Sequence, residues 1–68
     1  MKKNNSSEKY NAILKNMELT KYEISELDLK LDFVTDLMLM NQLIYQRKAA
    51  EMKYRYWYKL AKEACLKD

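Results

Sequence analysis

Three groups of side chains have the type and spacing to do chemistry or recognition. Asp28, Asp32 and Asp36 stand at i, i+4 and i+8. On a continuous helix they would form one acidic row, able to attract a hard divalent ion, to imitate a run of phosphates, or to pair with cations. Carboxylates from a single straight helix cannot surround an ion, so no metal site is expected. Like charges at this spacing repel by roughly a few tenths of a kcal/mol per pair, which calls for a cationic counterpart. Pairing with basic residues of the same chain is the simplest account. The second group is Tyr54-Arg55-Tyr56-Trp57-Tyr58-Lys59. Rings and guanidinium groups bring large contact area with few rotors, as protein-binding hot spots require, and they also suit stacking on single-stranded bases with cations on phosphate. The third is Cys65, the one cysteine. With no histidine to activate it, it reads as a small apolar residue packed beside Ala61 and Ala64.

Catalysis is excluded by subtraction. The chain has no histidine and no glycine, hence no imidazole base and no glycine-rich phosphate cradle. Its paired carboxylates have no cleft to raise the pKa of one of them. No catalytic, cofactor-binding or metal-binding residue is assigned, and no small-molecule substrate is expected.

The aromatic and basic group must be carried by a helix. From Asp36 to Leu66 there is neither Gly nor Pro, and Leu, Met, Ala, Lys, Arg, Gln and Glu dominate, all of which enter a helix at little cost. A 100° wheel gives that helix two faces. Leu43, Ala50, Tyr54, Trp57, Ala61 and Ala64 share one, which is read as core. Tyr45, Lys48, Met52, Arg55, Tyr56, Lys59 and Lys62 lie opposite and are read as the partner-binding face. Met38, Met40 and Met52 are expected to fill gaps in packing.

Upstream, residues 1–6 are polar and are expected to form a disordered tail, leaving residues 7–68 as a single helical domain. Asn5 or Ser7 can cap a short helix whose apolar face is Tyr10, Ile13, Leu14 and Met17. Thr20 and Glu23 have the spacing of a capping box, with Leu19 and Ile24 as its staple, so a second helix is expected from about Lys21, after a connection over Asn16 to Leu19. Ile24, Leu27, Leu31, Val34 and Met38 then recur at spacings of 3 and 4, the seam of an antiparallel hairpin or coiled coil. Leu27 to Phe33 also alternates as a half-buried strand would. No second alternating run exists to pair with it, so the helix is preferred. A break is placed near Val34, with Thr35 as the next cap, over the alternative of one rod from Thr20 to Leu66. The reason is that Leu37, Met38, Leu39, Met40, Leu43 and Ile44 are apolar around nearly the whole circumference and need enclosure.

The fold class expected is therefore all-α: a short N-terminal helix, then an antiparallel helical hairpin with a long C-terminal helix, dimerised into a bundle. Sixty-eight residues bury too little surface to be robust alone, so a homodimer is expected. Leu31, Val34, Leu37, Met38, Met40, Leu43, Ile44, Tyr54 and Trp57 form its core or dimer interface, and Asp28, Asp32 and Asp36 a possible acidic contact row. The first seven residues lack the apolar stretch of a secretory signal, no run is long enough to span a membrane, and a lone cysteine fits a reducing cytoplasm. Formal net charge is only +3, yet its distribution is uneven. From Glu18 to Asp36 acids dominate and from Arg47 to Lys62 bases do, so the two segments should meet, within one chain or between two. Abundant Lys, Asn, Tyr and Ile without Gly or Pro fits an AT-rich bacterial or phage genome. The function expected is a small non-enzymatic regulator or inhibitor that binds another protein; the alternative is a nucleic-acid binder using the basic aromatic face.

Overall fold

The computed structural model describes the backbone of residues 2–67 and the side chains of residues 8–65. Its elements are α1, Lys2–Phe33, and α2, Leu37–Lys67. They run side by side in opposite directions as a hairpin measuring 53 × 14 × 12 Å. Absence of Gly and Pro lets each helix run without interruption, and α1 ends where the backbone N–H of Val34 donates to the Lys30 carbonyl at 3.0 Å. Residues 34–36 make the reversal, and no described residue has positive φ. Asp36 then starts α2. Its Oδ1 accepts the Leu39 N–H at 2.9 Å, and its carbonyl accepts the Met40 N–H at 2.9 Å. A carboxylate there satisfies an orphan donor and faces the positive end of the helix dipole.

Each helix turns a 3-4 repeat toward the other. On α1 the inward positions are Ile13, Met17, Thr20, Ile24, Leu27 and Leu31, continued by Val34 in the turn; on α2 they are Met40, Leu43, Arg47, Ala50, Tyr54, Trp57, Ala61 and Ala64. All are buried or half-buried. This is the periodicity of two helices crossing at a shallow angle with side chains interdigitating. The core lies midway, where Leu27, Leu43 and Ala50 are enclosed and Ile24, Leu31 and Val34 pack against them. It is small, for no large side chain is fully buried.

Some of these expectations change. α1 is one helix rather than a short helix plus a second beginning near Lys21. Thr20 sits inside it, 3% exposed, and its hydroxyl donates to the Asn16 carbonyl at 2.7 Å. A hydroxyl satisfied by its own helix costs little when buried, so the capping-box spacing did not start anything. The alternation over Leu27 to Phe33 is helical, as preferred, and no strand occurs among the described residues. The cap is Asp36, one residue beyond Thr35. Met38, placed in the α1 seam by spacing alone, lies past the turn and is 83% exposed. Residues 2–6, where a disordered tail was expected, carry the helical backbone of α1, and their side chains lie outside the described residues.

Candidate partner-binding site

The acidic and basic segments meet along the hairpin. Arg47 occupies an inward position of α2, and its guanidinium reaches across to Asp28: Nε donates to Oδ1, and Nη2 donates to Oδ2 at 3.3 Å. Its Nη1 donates to Glu51 Oε2 at 2.8 Å, one turn along the same helix. The hydrogen bond from Arg47 holds the Asp28 carboxyl below the ordinary aspartate range, and the same bond raises Arg47. On another turn Lys53 pairs with Glu23 at 3.0 Å. These contacts are partly solvated, so their chief effect is to fix orientation and register rather than to add much stability.

The proposed acidic row is dismantled by the same geometry. Asp28 is engaged by Arg47, Asp36 caps α2 from beyond the end of α1, and Asp32 stays on the surface of α1. Among the described residues no group of acidic or sulfur side chains is placed to hold a metal ion.

The opposite face of α2 stands clear of α1. Tyr45, Lys48, Met52, Arg55, Tyr56, Lys59 and Lys62 are all exposed, with Tyr45 at 75% and Met52 at 63%. None of these cations enters an ion pair among the described residues. Tyr56 packs edge-on against Trp57, ring centroids 5.5 Å apart at 63°, so an inward ring steadies an outward one. Of the residues assigned to a core or dimer interface, Leu31, Val34, Met40, Leu43, Tyr54 and Trp57 face α1. Leu37, Met38 and Ile44 are exposed. Cys65 is exposed as well, not packed beside Ala61 and Ala64.

Two features were missed from the sequence. Arg47 at an inward position was signalled by its spacing from Leu43 and Ala50, but its charge argued for the surface. The other is an open groove of about 660 Å³ beside the turn, lined by Leu29, Lys30, Phe33, Val34, Leu39, Gln42, Leu43 and Gln46.

A two-helix antiparallel hairpin with an ion-paired seam, an exposed basic aromatic face and an apolar closed end is therefore the class to which the molecule belongs. Residues 1–67 match the model of the family described as "protein of unknown function (DUF2508)", and the chain belongs to that family. No curated protein and no solved structure matches it. Among the described residues no helix is long and apolar enough to cross a membrane.

Proposed function

We propose that the chain is a non-enzymatic, cytoplasmic binding module that regulates or inhibits another protein by docking the outward face of α2 on an acidic surface. One observation carries this reading. Apolar and aromatic side chains that would ordinarily be enclosed, Tyr45, Met52 and Tyr56, lie exposed among Lys48, Arg55, Lys59 and Lys62 on one rigid helix. Large rings between cations, held by secondary structure rather than by a loop, are what a protein-binding patch requires. The acidic residues favour this role less, because Asp28 and Asp36 already have partners within the chain. We also propose that the working unit holds more than one copy, since one hairpin leaves Phe33, Leu37 and Met38 mostly in water.

The test uses the full chain as bait in lysate of its native host. Capture of a defined protein that is lost in R55E/K59E, with helicity unchanged by circular dichroism, supports the role; capture indifferent to those substitutions removes it from this face. A mobility shift of DNA or RNA whose affinity falls linearly with log salt would instead assign the face to nucleic acid.

A further inference from the structure

We infer that the outward face of α2 is complemented by the outward face of α1 on a second copy of this chain. The inference rests on the reading above that the outward face of α2 is a contact surface, and assigns that face in the free protein to a second copy, with which a target protein would compete.

The observation behind it is a second apolar stripe on α1. Leu19, Tyr22, Glu26, Leu29 and Phe33 recur at spacings of 3 and 4, the period of the inward seam, but on the far side of the helix. Leu19, Tyr22, Leu29 and Phe33 are each more than half exposed. A helix packed on one neighbour needs one such stripe; two opposed stripes belong to a helix packed on both sides. α2 repeats the pattern. Met38, Gln42, Tyr45, Ala49, Met52 and Tyr56 follow at spacings of 4 and 3 and are all exposed.

Charge decides which stripe meets which. Around the α1 stripe lie Glu18, Glu26 and Asp32, with Lys15 on the stripe's extension and Lys30 beside the turn; around the α2 stripe lie Lys48, Arg55 and Lys59. None of them is used in an ion pair among the described residues. Pairing α2 with α2 sets cations face to face, and pairing α1 with α1 leaves the cations of α2 without acidic partners. Pairing α1 with α2 of another copy sets Glu18 between Arg55 and Lys59 and Glu26 beside Lys48, against one like-charge approach, Lys15 to Lys59.

Register agrees. Inside one chain Asp28 stands opposite Arg47 and Glu23 opposite Lys53. The same antiparallel alignment between copies brings Leu19 level with Tyr56, Tyr22 with Met52, Leu29 with Tyr45, and Glu26 with Ala49 beside Lys48. Apolar positions coincide in phase along both stripes. Each copy carries both halves of the contact, so the pairing is heterologous.

Sedimentation equilibrium on the full chain, from micromolar concentrations upward, tests this with two triple variants, E18K/E26K/D32K and K48E/R55E/K59E. Wild type should exceed the monomer mass. Each triple variant should raise the dissociation midpoint by roughly tenfold or more, because the attractions at Glu18 and Glu26 become repulsions. An equimolar mixture of the two, or one chain carrying all six changes, should recover the association; circular dichroism confirms that each variant is helical. A monomeric wild type overturns the inference, and so does a six-change chain as dissociated as the triples. If wild type is monomeric but still captures another protein in an Arg55- and Lys59-dependent way, this inference falls and the binding role stands. If it neither associates nor captures anything, both fall.

Discussion

The middle of the hairpin and its closed end both carry large apolar side chains, which meet opposite fates. At the middle, Leu27, Leu43 and Ala50 are enclosed, and Arg47 and Lys53 reach across to Asp28 and Glu23 on either side of them. Near the turn, Phe33, Leu37 and Met38 point into water, and Leu29, Leu39 and Ile44 are about half exposed. Burial thus follows geometry rather than hydropathy. Where two helices face each other, every third or fourth residue has a surface to enter. Where the chain reverses, side chains fan outward and none is available. One region specifies the fold, and the other is left over for contact with something else.

Substitutions should separate the two regions. The largest effect is expected at the middle: Leu43→Ala should cost about 2–4 kcal/mol, which in so small a core abolishes the cooperative thermal transition followed by circular dichroism. Ala50, 1% exposed, has no room beside it, so Ala50→Leu should destabilise by about 1–3 kcal/mol through overpacking, read as a lowered melting temperature. Smaller still is the ion pair. Asp28→Asn should lower the melting temperature, and the loss should be less in a chain already carrying Arg47→Met, because the two residues act as one contact. Acid should do the same without mutation. The Asp28 carboxyl is depressed by Arg47 in the folded chain, so its contribution is complete above the unfolded aspartate value and fades as pH falls from about 4 downward. Melting curves of Asp28→Asn should lose that part of the acid dependence. At the closed end, Met38→Ser should leave the fold within about 0.5 kcal/mol of wild type at concentrations too low for self-association.

Much of this architecture was legible in the residues. The inward face of α2 was given by wheel position alone, because Leu43, Ala50, Tyr54, Trp57, Ala61 and Ala64 all lie on one side, and each is buried or half-buried. The break near Val34 followed from an apolar stretch that one straight rod cannot enclose. The continuity of α1 was not legible. Thr20 and Glu23 have the spacing of a helix start, and that spacing says nothing about whether the preceding residues are already helical; Asn16 to Leu19 contain nothing that would stop a helix. Thr20 bonds backward to Asn16 and Glu23 outward to Lys53, so both were drawn off by competing partners. Asp36 left the line of Asp28 and Asp32 for a related reason. Spacing along the chain becomes spacing along a helix only while the helix lasts, and α1 ends at Phe33. The outward α2 residues were placed together by periodicity, whereas the groove beside the turn is lined by side chains of both helices, which no single-helix pattern encodes.

The guanidinium set among the inward positions also settles how the two halves find their alignment. Repeats of seven are prone to sliding by seven, and a connection without glycine or proline does little to prevent it. Slid one way, Arg47 would meet Lys21 and Lys53 would meet Asn16; slid the other way, Arg47 would meet Thr35 and Lys53 would meet Lys30. Each mistake strands at least one cation or sets it against another, so a chain with no strong turn signal still closes on a single match, much as a key with two teeth enters one lock.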